Sequence, residues 1–423
     1  MVSFDASVAA APPAVPRPGP GVVRFRGDPR AFWRLLVSGA GLLMFTLGIY
    51  RFWLTTDVRR YLWANTEVAG ESLEYTGTPA ELLLGFLIAI AILAPLNVGF
   101  FLFTFSAGTI GQITGLLSPV LLLLLGQYAI YRARRYRLTH TIYRGVRFHQ
   151  SGSAWRYAIC AGWWWSLTII TLGLAYPFAR ASLERFKMRN TFFGNLPGRF
   201  EGTGGQLLGR GILLWLLAVV PVVLGIFATL GAVDWDALTS SADDNTASWL
   251  ELSGLGAAAV LASLTALWLI LAVTILYPVF QTLVWRWWAS GLRFGEVALV
   301  SRLRMAQVFA VYGRFFGYAC LFTLVAGMAV VLGAGLLDML TRSASESIRS
   351  EIVMTVAGLG AYVAIALGYS TIYQCTVRLG LWRCVVESLD LSNLVALDRV
   401  SAAGEPSSPV GEGLADALNV GGL

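Results

Sequence analysis

The stretch TLGIYRFWLTTDVRRYLWANT at residues 46–66 occurs a second time, as TLGLAYPFARASLERFKMRNT at residues 171–191. Both versions begin with Thr-Leu-Gly after an apolar run and end with Asn-Thr. The agreement continues without a gap to Leu82-Leu83, which match Leu207-Leu208. Since hydrophobicity alone does not explain the matched glycines and polar residues, the sequence predicts an internal tandem repeat.

The repeated stretch predicts an amphipathic helix. Steps of four, three and four residues place one set of side chains on one face: Leu54, Val58, Tyr61 and Asn65, matched by Ala179, Leu183, Phe186 and Asn190. Arginines flank this face, an arrangement that suits a membrane–water interface: Arg59, Arg60, Arg185 and Arg189. An asparagine near a helix end can cap the helix in the left-handed conformation. The candidate motif and interface residues are therefore Arg60, Tyr61, Asn65, Arg185, Phe186 and Asn190.

The composition indicates an integral membrane protein. The chain is 57% hydrophobic and 13% charged, whereas soluble domains carry about 25% charged residues. Five stretches contain no Asp, Glu, Lys or Arg: 82–131, 211–233, 252–285, 315–337 and 352–377. A spanning helix needs roughly 20 such residues, and the first stretch is long enough for two. We therefore predict an all-α polytopic membrane protein with about six transmembrane helices arranged as three hairpins.

The arginines orient these hairpins, because Lys and Arg concentrate in cytoplasmic loops. Residues 132–156 contain seven arginines and no acid, and 180–210 and 286–304 are also basic, whereas 234–244 contains four aspartates. Six spans place every basic segment and both termini in the cytoplasm, provided that the apolar segments 35–50 and 157–179 do not cross. We therefore predict that these two segments are re-entrant or interfacial helices.

Short strand-like pieces recur in the cytoplasmic segments and end in glycine: VVRFRG (22–27), SLEYTG (72–77), TIYRGVRFHQSG (141–152) and GRFEGTG (198–204), with a weaker relative at 291–299. They predict small cytoplasmic β-elements that join the helices. The expected organisation is a disordered tail (1–21), a first repeat with its hairpin (22–131), a second (132–285), a third hairpin with a degenerate repeat (286–397) and a second disordered tail (398–423).

Several of these motifs resemble the YjgN family of bacterial inner-membrane proteins, a domain of unknown function. The resemblance covers residues 22–395 and rests on FRG at 25–27, TLGIY at 46–50, RRYLWANT at 59–66, TIYRGVRFHQSGSAWRYA at 141–158 and TLGLAYPF at 171–178. It implies a bacterial inner-membrane location. It carries over no catalytic residues, since the family has no established activity.

The sequence favours binding or transport over catalysis. It contains no GxSxG, HExxH, Walker A or GxGxxG motif, and its cysteines and histidines show no metal-binding spacing, so we predict no enzyme, cofactor or metal site. The first hypothesis is passive transport of a neutral or amphipathic solute, since the uncharged stretches lack the ionisable residues of coupled carriers. The alternative is a lipid-binding or protein-partner scaffold at the cytoplasmic face.

Arginines interleaved with aromatic residues carry the lipid hypothesis, because arginine binds phosphate bidentately. The candidate contacts to anionic lipids are Arg134, Arg135, Arg144 and Arg147. Cytoplasmic charge bias alone also explains these arginines. Membrane lipids are the expected partners. Nucleic acid is not, because these arginines are predicted to lie against the bilayer, and the sequence identifies no small-molecule or protein partner.

Overall fold

The computed structural model describes residues 23–104, 109–233, 253–341, 347–403 and Asp416. Of the described residues, 76% are helical. Its helices are α1 (Pro29–Phe45), α2 (Arg51–Ala64), α3 (Pro79–Thr104), α4 (Thr109–Thr139), α5 (Ala154–Ile170), α6 (Tyr176–Arg189), α7 (Gly204–Ala232), α8 (Ser253–Gly291), α9 (Met305–Thr341), α10 (Ser347–Tyr373) and α11 (Leu379–Glu387), with a π-helical segment, Gln374–Arg378, between the last two. The predicted tail at 1–21 and the acidic segment 234–244 lie outside the described residues.

Eleven short strands connect these helices within the described residues. They are β1 (Val23–Phe25), β2 (Thr66–Val68), β3 (Glu71–Ser72), β4 (Glu74–Tyr75), β5 (Thr141–Tyr143), β6 (Val146–Gln150), β7 (Thr191–Phe193), β8 (Leu196–Phe200), β9 (Leu292–Phe294), β10 (Val297–Ser301) and β11 (Leu389–Ser392). β1 to β3 form one antiparallel sheet, and β4 to β11 form a curled eight-stranded sheet in chain order. β1 contacts β11, so the last strand returns to the first. We refer to β1–β11 as the collar.

The collar is larger than the small β-elements predicted from sequence. The predicted pieces coincide with β1, β3–β4, β5–β6, β8 and β9–β10, whereas β2, β7 and β11 were missed. Tight turns at Ala69-Gly70 and Arg144-Gly145 join the two strands of the β2–β3 and β5–β6 hairpins, and both residues of each turn have positive φ. These are the dihedrals of the turns that match strand twist.

Five helices among the described residues are long and apolar enough to cross a membrane: Pro79–Thr104, Gly204–Ala232, Gly256–Gly291, Met305–Met339 and Ile352–Glu387. These helices fit a membrane protein. The sequence predicted six, and the remaining segment lies in α4, which is not among the five. Its C-terminal part carries Arg132, Arg134, Arg135 and Arg137.

The two versions of the repeated stretch fold into elements with the same bounds, displaced by a constant number of residues. α1 and α2 run over 29–45 and 51–64, and α5 and α6 run over 154–170 and 176–189. Both helix pairs return to the collar, because β1 pairs with β2 (Phe25 opposite Thr66) and β6 pairs with β7 (Gln150 opposite Thr191). The two ends of each helix pair therefore lie at the same sheet.

The Thr-Leu-Gly motif forms the turn between the helices of each pair. Thr46 Oγ1 donates to Leu42 O (2.7 Å) and accepts from Tyr50 N (3.1 Å), so one hydroxyl ends α1 and starts the next turn. Thr171 makes the same bonds with Leu167 O and Ala175 N. The leucine and glycine that follow have positive φ in both versions. Glycine adopts this conformation freely, which explains the motif.

Candidate functional site

The predicted motif residues Tyr61 and Phe186 pack the second helix of each pair against the first. Tyr61 Oη donates to Asp28 O (2.7 Å), and its ring lies 5.1 Å from that of Phe32. In the second pair, the ring of Phe186 lies 5.7 Å from that of Tyr157, which is the residue equivalent to Phe32. The predicted face of α2 and α6 therefore packs inward on the partner helix.

The asparagines cap their helices differently from the prediction. Asn65 and Asn190 have φ of −94° and −102°, so neither is left-handed. Instead the side-chain amides donate back to Tyr61 O and Phe186 O, both at 2.7 Å. The amide reaches the carbonyl one turn back, which removes the need for a left-handed residue. Of the flanking arginines, Arg60 is exposed and donates to Gly77 O (3.1 Å), and Arg185 is half-buried.

Arg59 was predicted to flank the apolar face at the interface, but it is buried, with 1% of its surface exposed. Its guanidinium binds both carboxylate oxygens of Asp416, which is 2% exposed, and donates to Tyr75 Oη (3.0 Å). Arg137 Nη1 lies 3.5 Å from the same carboxylate. Burial alone would lower the pKa of Arg59, but the charges of Asp416 and Tyr75 hold it above its ordinary value.

Glu184 occupies the position in α6 that Arg59 occupies in α2, and it is also buried. Its carboxylate pairs with Lys187 and accepts from Trp288 Nε1 (3.2 Å), with Arg180 Nη1 at 3.9 Å. Burial raises the pKa of Glu184, but the charge of Lys187, followed by those of Arg180 and Arg134, brings it below its ordinary value. Burial lowers the pKa of Lys187 to about 8. The two quoted stretches thus bury opposite charges at matching positions.

The four arginines predicted to contact lipid differ in their surroundings. Arg134 Nη1 donates to Thr191 Oγ1 (3.1 Å) and Gln150 Oε1 (3.3 Å), so its guanidinium is held inside the protein. Arg135 lies on the same helix and is half-buried. Arg144 lies in the β5–β6 turn and pairs with Glu71 (3.2 Å), and Arg147 is exposed on β6. The structure does not bring the four into one site.

An apolar groove of about 410 Å³ lies beside the second Thr-Leu-Gly turn. The turn and the start of α6 form one wall, and α7 and α8 form the others, with Leu172, Trp215, Ala218, Ala272 and Phe280 among the lining residues. Trp215 Nε1 donates to Leu172 O (2.9 Å) and ties α7 to the turn. The guanidinium of Arg180 lies 6.0 Å from the ring centre of Tyr176, which also lines the groove.

The profile of a bacterial protein family of unknown function, DUF898, matches residues 20–417. The chain belongs to this family. The match agrees with the resemblance to the YjgN family and extends one residue beyond Asp416. Neither a curated protein nor a solved structure matches the chain.

In this member of the family, sequence reasoning missed the buried charges. A signal for Arg59 is present, because Phe52, Thr56, Arg59 and Trp63 repeat the helical spacing of the first face, and all four are buried. No signal pointed to Asp416, which is 357 residues from Arg59 and lies within the segment predicted to be disordered. A buried arginine is recognisable only through its partner, and that partner is distant in sequence.

Proposed function

We propose that this protein is a multi-pass inner-membrane protein that binds a membrane phospholipid, with an acyl chain in the groove beside the second Thr-Leu-Gly turn. The observation that carries the proposal is the groove itself, whose volume of about 410 Å³ lies within the range of ligand pockets, roughly 300–1,000 Å³. Its lining is almost entirely aliphatic and aromatic.

The proposed topology places the groove at membrane depth. Both Thr-Leu-Gly turns expose large apolar side chains, with Leu47 and Leu172 exposed by 95% and 61%. Such side chains at a tip are stable in lipid and costly in water. The proposal therefore treats each helix pair as re-entrant, and the apolar part of α4 as the sixth span. The collar and both termini are then cytoplasmic, as the arginine distribution favours.

The collar end of the groove suits an anionic headgroup. α6 runs from the turn towards the collar, so Arg180 lies one helical turn nearer the collar than Tyr176. α7 starts at the collar, and Arg210, which is exposed, lies before the groove residues Gly211 and Trp215. These two arginines would meet a phosphate when the acyl chain extends towards the turn.

The repeat forms part of the same proposal. We infer that the chain uses one unit five times, each consisting of a strand, an outgoing helix, a returning helix and a strand that pairs with the first. The paired strands are β1 with β2, β4 with β5, β6 with β7, β8 with β9 and β10 with β11. In each unit the outgoing helix starts four residues after its strand ends, as Met305 follows Ser301 in the last unit. The helices of the second, fourth and fifth units are longer and supply spans.

A groove-filling substitution tests the lipid proposal. Ala218→Trp places a large side chain in the groove, and Ala228→Trp, on an exposed position of the same helix, is the matched control. Both variants are reconstituted in vesicles that contain a phosphatidylglycerol with a photoactivatable acyl chain. We expect crosslinking to α7 and α8 to fall at least about tenfold in Ala218→Trp and to stay unchanged in the control. Equal crosslinking in both variants, mapped by peptide mass spectrometry, would refute lipid binding in the groove.

The same purified variants distinguish lipid binding from passive transport of a neutral or amphipathic solute, the other function predicted from sequence. Native mass spectrometry of the gently purified protein identifies the retained molecule. A phospholipid that is lost in Ala218→Trp supports the proposal. A soluble metabolite that is lost in the same variant assigns the groove to transport instead.

A further inference from the structure

Each of the five units joins its returning helix to its first strand in the same way. The backbone N–H of the residue after the first strand donates to a carbonyl oxygen at the end of the returning helix. The five bonds are Arg26 N to Asn65 O (2.9 Å), Thr76 N to His140 O (3.0 Å), Ser151 N to Asn190 O (2.8 Å), Glu201 N to Gly291 O (2.9 Å) and Arg302 N to Ser388 O (2.8 Å). Because these bonds fix the register of the units, residues at equal distances before the five carbonyls are structurally equivalent.

One position of the returning helices holds the same residue in all five units. Five residues before the bonded carbonyl, every unit has an arginine, and we call these residues the arginine ring: Arg60, Arg135, Arg185, Arg286 and Arg383. Among the nine residues before that carbonyl, no other position is identical in all five units. The position of the buried Arg59, for example, holds arginine, glutamate or tryptophan. The units therefore share this residue although its neighbours differ.

The ring arginines face away from the helix pair to which they belong. Two residues before each arginine, the side chain is at most 8% exposed in every unit: Val58, Ala133, Leu183, Val284 and Leu381. Two positions that are two residues apart on an α-helix lie about 200° apart, so each arginine lies opposite a buried face. Arg60, Arg286 and Arg383 are exposed, and Arg135 and Arg185 are half-buried.

The ring surrounds the molecule at one level. Each returning helix contacts the next outgoing helix, and α10 and α11 of the last unit contact α1 and β1 of the first, so the five units close into a circle. Five residues of helix rise about 7.5 Å, which places the ring arginines at similar heights above the collar. Arg286 follows directly after the uncharged stretch 252–285. This level is therefore the boundary between the apolar helices and the collar.

Hydrogen bonds within the protein hold ring arginines in place without using all of their donors. Arg60 Nη2 donates to Gly77 O (3.1 Å) at the start of the next unit, so this side chain lies at the seam between α2 and α3. Arg383 Nε donates to Glu387 Oε1 (2.8 Å) in its own helix. A guanidinium has five N–H donors, and each of these bonds uses one of them.

We propose that the arginine ring binds the phosphate groups of anionic phospholipids in the cytoplasmic leaflet, one at each seam between a returning helix and the next outgoing helix. The proposal rests on the proposed topology, in which the collar is cytoplasmic, and not on lipid binding in the groove. Arginine suits this position because its stem covers apolar surface while its guanidinium binds two phosphate oxygens. Positive charge at this depth attracts anionic headgroups.

Two quintuple variants test the ring. One replaces the five ring arginines by glutamine, and the matched control replaces five exposed arginines of the collar: Arg24, Arg144, Arg147, Arg199 and Arg302. Both sets of substitutions are made in Ala218→Trp, so that lipid in the groove is not counted. Native mass spectrometry of protein released from nanodiscs of phosphatidylcholine and phosphatidylglycerol counts the bound phosphatidylglycerol. We expect up to about five molecules in the parent and the control, and at least about tenfold lower occupancy in the ring variant.

Equal loss in the two quintuple variants would show that net charge alone attracts the lipid, and the proposal would fail. Full retention in the ring variant would overturn it as well. Neither result depends on whether the groove binds lipid, because crosslinking in the groove is measured separately.

Single substitutions keep the test decisive if the ring variant does not fold. Arg286→Gln should reduce the number of bound phosphatidylglycerol molecules by one, and Arg302→Gln should leave it unchanged. The melting temperature of both variants is measured in nanodiscs of phosphatidylcholine alone. A lower melting temperature of Arg286→Gln with an unchanged lipid count would show that Arg286 is structural, and would refute its role in headgroup binding.

Discussion

At the scale of single residues, the equivalent positions 59 and 184 distinguish the two versions of the repeat. Arg59 meets a carboxylate from the C-terminal segment, and Glu184 meets Lys187 within its own helix. Each buried charge is paired, as the desolvation cost requires. The first version thus needs the end of the chain to complete it, whereas the second supplies its own partner.

Arg59 and its neighbour Arg60 provide a matched pair of substitutions. We expect Arg59→Gln to lower the free energy of unfolding by about 3–5 kcal/mol, because it removes the bidentate partner of Asp416 and leaves this buried carboxylate with Arg137 at 3.5 Å. Arg60→Gln should cost at most about 1 kcal/mol, because it loses one exposed hydrogen bond to Gly77 O. Unfolding by SDS titration of the protein in mild detergent measures both. Equal losses would contradict the buried ion pair.

At the scale of elements, the Thr-Leu-Gly turn explains why the motif occurs twice. The threonine hydroxyl serves both helices of a pair, and the two residues after it reverse the chain with positive φ. Leucine is an unusual choice for that conformation, which costs about 1–2 kcal/mol for a residue with a Cβ. Its exposed side chain at the tip is understandable when the tip lies in lipid.

Two glycines near this turn give the second prediction. Gly48 has φ of +88°, whereas Gly41 lies on the exposed side of α1. At either position an added Cβ would meet no atom within 4 Å. We expect Gly48→Ala to destabilise the protein by about 1 kcal/mol through backbone strain alone. Gly41→Ala should stabilise it by roughly 0.5–1 kcal/mol, because alanine favours the helix. The same unfolding titration compares them, and a stabilising Gly48→Ala would show that the turn is not left-handed.

At the scale of the whole molecule, the collar constrains the topology. Because β1 pairs with β2 and β6 pairs with β7, neither helix pair can place its two ends on opposite sides of a membrane. The helices that remain available for crossing leave the collar and return to it as hairpins. In the proposed topology the arginines of the collar region share one side, as their concentration in the sequence favours.

Reporter fusions test this arrangement. Fusions after residues 150 and 205, and at both termini, should all report the cytoplasm, and a fusion within 234–244 should report the opposite side. The reason is that residues 150 and 205 flank a helix pair whose ends are joined by strand pairing. Opposite locations for the fusions at 150 and 205 would rule out the re-entrant assignment.

The sequence by itself determined the features that depend on local pattern. Long uncharged stretches predicted the apolar helices, and helical spacing predicted which side chains share one face of α2 and α6, although the structure turns that face inward and not to a membrane–water interface. The offset between the two quoted stretches anticipated elements with matching bounds. These features depend on hydrophobicity and periodicity, which can be recognised within a short stretch of sequence.

Only the tertiary structure decided which strands pair, where the groove lies and which charges are buried. Strands of three residues such as β2 and β7 carry too little pattern to be recognised alone, and pairing along the collar defines them. Arg59 looks like any interfacial arginine until Asp416 meets it from the far end of the chain. The physical reason is that burial and ion pairing are properties of contacts between distant residues, and no local pattern encodes them.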